Sequence, residues 1–288
     1  MMITTNADGS EQLQYNSPDF PVRIMKNTLG IFFDFMAGCH WHRDFEALVA
    51  LDGEMDYFVN GEIVHLKQGQ AIFVNSGRMH YGFSREKKDC VYSFIVYSPQ
   101  IFGEFPPVSH ELERLCSDQS PNYLLLTGNT PEEARAIELI RGAEMHLEEE
   151  STIERLSRCA ELTVIIQKQI PETDASKSMD DESWILLRIM TGYIQSHYAE
   201  QIPLDDLAAS ASVCRSRCCK LFQDKLGCTP GKYITRYRLN KACMDITHGC
   251  SITEAALNNG FNSSSYFAES FRKEFGISPK DYRAMQHR

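Results

Sequence analysis

LDDLAASASVCRSRCCKLFQDKL, residues 204–226, and ITEAALNNGFNSSSYFAESFRKEF, residues 252–275, are two versions of one design. Each opens with a short helix of small residues, makes a tight turn and continues into a helix with one apolar side. In the first, Cys218, Leu221 and Phe222 form that side. In the second, Ala255 and Ala256 allow close helix packing, Gly260 permits a left-handed turn, Phe261 pins the turn to the core, and Phe267 and Phe271 repeat the apolar side. Cys218 and Phe267 are equivalent positions, 49 residues apart. Two such units on one long helix can offer two recognition helices to successive major grooves, which recur about every 34 Å on one face of DNA.

The helical pattern extends outward from these segments. Residues 184–198, 204–211, 215–226, 229–246 and the starts at Ser251, Asn262 or Ser263, and Ser278 predict seven helices and a compact all-α domain over 184–288. The polar, aperiodic stretch at 171–183, PETDASKSMDDES, reads as a linker. The net charge of −10 on 288 residues divides unevenly at that point. Residues 184–288 hold 14 Lys and Arg against 9 Asp and Glu, and residues 1–183 hold 15 against 30. A basic part on an acidic one implies separate jobs, and the basic part is the one a polyanion would choose.

The segment from Leu204 to Arg283 resembles the AraC/XylS family of transcription regulators. The likeness covers about the last hundred residues and rests on Gly227, Thr229-Pro230, Tyr233-Ile234, Arg238-Leu239, Ala242, Gly260-Phe261, Ser265-Tyr266-Phe267, Phe271 and Gly276 through Arg283. The resemblance implies a groove-facing surface of Arg215, Ser216, Arg217, Cys219 and Lys220 in the first unit. In the second it implies Ser263, Ser264, Ser265, Ala268, Glu269 and Arg272. Arg and Lys, donors only, suit guanine or phosphate, and Ser hydroxyls at a helix start suit phosphate oxygens. Arg238 is expected to be structural. Two residues depart from the family: Glu269, a carboxylate that repels phosphate but accepts from cytosine, and Cys218 in place of a usual Leu. Cys214, Cys218 and Cys219 do not have the spacing of a metal set and are expected to be small buried hydrophobes.

Upstream, residues 22–97 alternate with period two through VRIM, GIFFDFM, FEALVAL, MDYFV, EIVHL, QAIFV and CVYSFIVY, with Asn60-Gly61 as a hairpin signal. The expectation is a β-sandwich or barrel. A short helix from Ser109 follows, then two helices opened by capping boxes at Thr130–Glu133 and Ser151–Glu154. They form an antiparallel hairpin that packs on the barrel, makes a dimer interface, or does both. The expected fold class is therefore multidomain α+β. Its parts are a flexible 1–20, a barrel at 21–108, a helical packing and dimerisation segment at 109–170, a linker at 171–183, and the helical domain at 184–288.

HWHRDFEALVALDG, 40–53, and GQAIFVNSGRMHYGF, 69–83, resemble the two cupin motifs, with Asn75 where a Pro is common. Strand alternation would put His40 and His42 on one face, with Glu46 and His80 approaching across the barrel. Three His and one Glu suit Zn, Fe(II), Mn or Ni, so a metal-dependent cupin enzyme fused to helices is an alternative reading. Regulators of the AraC/XylS type often carry such a barrel as a receptor, many without metal. His40, His42, Glu46 and His80 would then hydrogen-bond a ligand, with Trp41 and Tyr57 packing on it. Phe33, Phe35, Phe45, Phe73 and Tyr81 are further aromatic candidates.

The resulting expectation is a non-enzymatic, ligand-responsive regulator without a cofactor, by family habit an activator, that senses a small polar metabolite such as a sugar. Its partners would be double-stranded DNA, the effector, RNA polymerase and a second copy of itself. A third reading is a constitutive DNA-binding protein with a dimerising barrel. No run of about 18 uncharged apolar residues exists, so no membrane span is expected. The polar start MMITTNADGSEQLQ does not read as a secretory signal, and ten unpatterned cysteines suit reduced thiols, so the expected location is the cytoplasm.

Overall fold

The computed structural model describes residues 6, 10–117, 119–145, 149–170 and 181–286. The chain divides into two units, mainly Glu11–Asp181 and Glu182–Arg288. None of the described helices is long and apolar enough to cross a membrane.

The first unit holds strands β1 (Val22–Thr28), β2 (Phe45–Asp52), β3 (Met55–Val59), β4 (Glu62–Leu66), β5 (Ala71–Val74), β6 (His80–Phe83), β7 (Val91–Tyr97) and β8 (Tyr123–Leu126). Helix α1 (Pro106–Cys116) precedes β8, and α2 (Pro131–Met145) and α3 (Thr152–Gln169) follow it. One sheet has the order β1-β7-β2-β5-β8 and the other β4-β3-β6. They share a core as a two-sheet, jelly-roll-like sandwich, and the described strands do not close into the single barrel expected.

Alternation along the larger sheet creates two different cores. Phe45, Ala47, Val49, Phe73, Ile95 and Tyr97 meet Ile137, Ile140, Leu162 and Ile166 of α2 and α3. Leu48, Ala50, Ile72, Val74 and Tyr92 turn the other way, toward Met55, Tyr57 and Val59 of the smaller sheet. The helical hairpin thus packs on the sheet's outer face, where Tyr97 Oη lies 2.9 Å from Thr163 Oγ1. Ser151 and Glu154 form the expected capping box. Glu133 instead turns back to accept from the amides of Thr127, Gly128 and Asn129, while its own amide donates to Thr130.

Several expectations change. GIFFDFM is not a strand: 29–31 and 33–35 are 3-10 turns. Asp89 draws the chain out of the sheet there by accepting from Thr28 Oγ1 and from the Gly30 amide at 2.7 Å. Residues 11–20 are not loose. The Ile24 amide donates to Asn16 Oδ1 at 2.5 Å, and Tyr15 Oη donates to Asp44 at 2.8 Å. The short strands β6 and β8 do not stand out in the sequence. Helix α1 starts at Pro106 rather than Ser109, because Pro106-Pro107 suits a first helical turn. The expected linker at 171–180 lies outside the described residues. Helix α4 (Asp181–His197) starts before the expected Trp184, with Glu182 suited to its positive end.

The second unit continues with α5 (Leu204–Ser210), α6 (Arg215–Leu226), α7 (Pro230–Thr247), α8 (Ile252–Asn258), α9 (Ser264–Phe275) and α10 (Pro279–Gln286). The pairs α5–α6 and α8–α9 both pack on α7. Arg238 of α7 is structural, as expected: its Nε donates to the Tyr198 carbonyl at 2.6 Å and its Nη2 to that of Glu200 at 2.5 Å. Gly260 sits at φ +76°, and a Cβ there would lie 2.8 Å from the Tyr198 carbonyl oxygen.

Gly276 has a similar φ of +74° but open space around it. Gly276→Ala is therefore expected to cost only the left-handed backbone penalty, about 1–2 kcal/mol. Gly260→Ala adds a backbone collision and is expected to cost at least about 3 kcal/mol. Urea unfolding of the two variants checks the difference; equal losses would contradict it.

Candidate effector and nucleic-acid sites

Glu46 enters the space between the sheets because its neighbours Phe45 and Ala47 are claimed by the helix-facing core. His80 opens β6, and His40 meets it through a bridge in which the His80 amide donates to the His40 carbonyl at 2.8 Å. His40 and His42 lie before β2 rather than in a strand, so the expected strand alternation is not what orients them. The bridge to His80 and the Gly77 amide, which donates to the His42 carbonyl at 2.7 Å, hold that segment instead.

The structure brings all four groups together. His40, His42, Glu46 and His80 are buried, and one ligand atom from each lies within 4.8 Å of the others. Each imidazole has its Nδ1 against a backbone carbonyl: Gly38 at 2.8 Å, Asp44 at 3.0 Å and Arg78 at 2.7 Å. A carbonyl only accepts, so each Nδ1 carries the proton, and the lone pair of a neutral ring sits on Nε2. The Nε2 atoms of His42 and His80 are each 3.3 Å from Glu46 Oε2. Tyr57 Oη donates to Glu46 Oε1 at 2.5 Å.

Burial alone would raise the Glu46 carboxyl, but His80 and His42 outweigh it and hold it well below the usual carboxylate range. Burial, reinforced by His80, lowers His40. Burial and the Glu46 charge push the Tyr57 phenol well above its ordinary value. Lone pairs on Nε2 cannot face a carboxylate without a proton or a cation between them. The donor set therefore fits a divalent transition metal held by three Nε2 atoms and one carboxylate, with the Nδ1 hydrogen bonds as orienting partners. A metal held there would supply a Lewis-acidic point for an oxygen-bearing ligand.

Two charged residues at this site are absent from the sequence reading. Arg23 faces inward because Val22 and Ile24 face the helices. It pairs with Val96, which pairs with Glu46, so Arg23 and Glu46 share a row across the sheet. Glu11 lies 3.7 Å from Arg23 and 3.4 Å from His40. The only signal for Arg23 was a cation at an inward position of an alternating strand; Glu11 gave none.

Of the aromatic candidates, Trp41 and Tyr57 are buried, Tyr57 in the inter-sheet core. Phe35 packs against that core, while Phe45 and Phe73 belong to the opposite face, against the helices. Tyr81 stacks on Phe58, with ring centroids 4.9 Å apart. The Phe33 side chain lies outside what the structure describes.

In the helical unit, Cys218, Leu221 and Phe222 of α6 are buried, and Arg215, Ser216, Arg217, Cys219 and Lys220 are exposed. Arg215 pairs with Asp205 through both its Nε and Nη2, and both side chains remain exposed. In α9, Ser264, Ser265, Glu269 and Arg272 are exposed and Ala268 is half-buried. Ser263 precedes the helix and caps it, its oxygen accepting from the Tyr266 amide at 3.3 Å, which leaves its O–H as a donor. Only Cys218 of the cysteine cluster is a buried hydrophobe. Cys214 and Cys219 are exposed, since the helix turns their positions away from the core.

These features define a class: a cupin-type domain carried on the same chain as a tandem helix-turn-helix DNA-binding domain. Comparisons with known proteins agree. A helix-turn-helix domain family matches residues 207–285 and a cupin domain family matches 34–97. The chain is 25% identical over 281 residues to the uncharacterized HTH-type transcriptional regulator YdeC of Bacillus subtilis, covering 96% of both chains. It is 25% identical to the HTH-type transcriptional activator RhaS of Escherichia coli over 84% of this chain and 86% of that one. Among solved structures it is similar to a regulator with an AraC-type DNA-binding domain from Chromobacterium violaceum, with 30% identity, 35% of this chain and 91% of that one covered, and a TM-score of 0.34. It is also similar to ToxT of Vibrio cholerae, with 13% identity, 92% and 98% covered, and a TM-score of 0.47. The chain carries an AraC-type helix-turn-helix domain and a cupin domain and is a DNA-binding transcriptional regulator.

Tyr57→Phe deprives the buried Glu46 carboxylate of a donor and is expected to cost about 1–3 kcal/mol in urea unfolding; no loss would contradict the bond. The depressed Glu46 carboxyl adds stability above its unfolded value, which is lost as pH falls through the folded one. In metal-free buffer, wild-type stability should therefore fall more steeply than that of Glu46→Gln as pH drops below about 4.5. Parallel curves would contradict it.

Proposed function

We propose that this chain is a ligand-responsive transcriptional activator, not an enzyme, that reads DNA with α6 and α9 and senses a small polar metabolite between the sheets of its cupin domain. The observation that carries the DNA-binding half is the division of α6. Cys218, Leu221 and Phe222 fill the core, which leaves Arg217, Cys219 and Lys220 exposed on a helix without a carboxylate in its first turn. The buried, hydrogen-bonding centre around Glu46 supports the sensing half. Its acceptors and donors suit a hydroxylated molecule, of which a sugar is the class expected from the sequence.

The active form is a cytoplasmic homodimer that acts with RNA polymerase. Ile153 and Val164 of α3 are exposed and support a role for the hairpin in pairing. A second reading, a metal-assisted sensor, is favoured by the fixed Nδ1 hydrogen bonds, which direct three Nε2 atoms toward one carboxylate. Elemental analysis separates the two. Stoichiometric metal that is lost in the His40→Ala, His42→Ala variant favours the second.

Fluorescence anisotropy on promoter DNA tests the central reading. Affinity should fall steeply with salt, and Arg217→Ala with Lys220→Ala should weaken binding and lower the salt slope by about 2. Unchanged affinity and slope would overturn the assignment of α6.

A further inference from the structure

The helices α6 and α9 are one template with opposite charges at one position. Both are 12 residues long, and each ends on a left-handed glycine, Gly227 at φ +64° and Gly276 at φ +74°. Their buried sides coincide at the 49-residue spacing of the sequence repeat, Cys218 with Phe267 and Phe222 with Phe271. At about 100° per residue, the position midway between each buried pair points directly away from the core. That position is Lys220 in α6 and Glu269 in α9, and both are exposed. Among the described residues, no hydrogen bond or ion pair engages either side-chain charge. In the first two turns of α9, residues 264–270, Glu269 is the one side chain charged at neutral pH. The matching turns of α6 carry Arg215, Arg217 and Lys220 and no carboxylate.

The first turns of a recognition helix are the part that meets base edges. An ammonium only donates, so Lys220 suits guanine, whose O6 and N7 both accept in the major groove. A carboxylate only accepts, and three of the four bases oppose it there. Guanine presents O6 and N7, thymine presents O4, and adenine presents N7 beside its amine. Cytosine presents its N4 donor with no acceptor of its own in that groove. Glu269 also repels phosphate, so it adds nothing to backbone affinity and is accommodated only where a suitable base lies opposite. We propose that Glu269 selects a cytosine under α9 while Lys220, its counterpart in the repeat, selects a guanine under α6, so that the duplex recognised is not a simple repeat. This rests on the assignment of α6 and α9 as the DNA-reading helices and supplies bases that they distinguish.

Selection of duplexes from a random pool by the full chain, followed by fluorescence anisotropy on the selected duplex and its single-pair variants, tests the assignment. Wild type should favour a guanine and a cytosine about 10 base pairs apart. Replacing that cytosine should weaken wild-type binding roughly 5–150-fold, the equivalent of about 1–3 kcal/mol at tenfold per 1.4 kcal/mol, and should leave Glu269→Ala almost unaffected. Glu269→Gln should move the preference at that position to adenine, whose N6 and N7 suit an amide. Lys220→Glu should move the guanine position to cytosine. Lys220→Ala, which should lose the guanine preference, is the second variant should Lys220→Glu bind too weakly to measure. Base preferences that stay unchanged in the Glu269 variants or in the Lys220 variants, while wild type still selects a sequence, would overturn this proposal alone. A wild type that selects no sequence would sink the DNA-reading assignment of α6 and α9 and this proposal with it.

Discussion

The carbonyls of Gly38, Asp44 and Arg78 each take a hydrogen bond from an imidazole Nδ1, and those three bonds set the chemistry of the cupin domain. They fix the protonated edge of every ring and turn the other edge of His42 and His80 to Glu46 and that of His40 to Glu11. A carboxylate buried to 7% exposure facing such edges is tolerable only with positive charge among them, whether protons or a metal. Tyr57, stacked 6.2 Å from His80 and bonded to the second carboxylate oxygen, completes the cage. The centre is thus a charged point in an apolar sandwich.

The position of that point follows from register. The larger sheet presents an apolar face to α2 and α3, and because side chains alternate, the residues between those anchors turn inward. Glu46 and Arg23 face the centre for the same reason, each flanked by residues that the helices bury. A one-residue slip of β1 or β2 would bury these charges against the hairpin, so the site and the packing specify the same pairing. The helical unit follows a comparable economy: burial of Phe222 on one side of α6 and of Phe267 and Phe271 on one side of α9 decides which residues face outward.

Much of this was legible in the sequence because its signals were local. The helix-turn-helix repeats, the Ser151 and Ser251 capping boxes and the Gly260 turn each depend on residues a few positions apart. The His40, His42, Glu46 and His80 set was legible as a motif, though its geometry comes from a bridge and carbonyl bonds rather than strand alternation. Partners distant in sequence were not. Asp89 bends residues 29–35 from 59 positions beyond Gly30, Glu11 reaches His40 from beyond the first strand, and Asp205 pairs with Arg215 from the preceding helix. Phe45 and Phe73 were grouped with the pocket because periodicity gives two faces without saying which one meets the helices.

The most direct measurement is hydroxyl-radical footprinting of the full chain on a DNA site selected from random sequence. Insertion of α6 and α9 into consecutive major grooves should leave two protected patches per protein chain on one face of the duplex, about 10 base pairs apart. A single patch, or protection spread evenly along the duplex, would contradict the tandem reading.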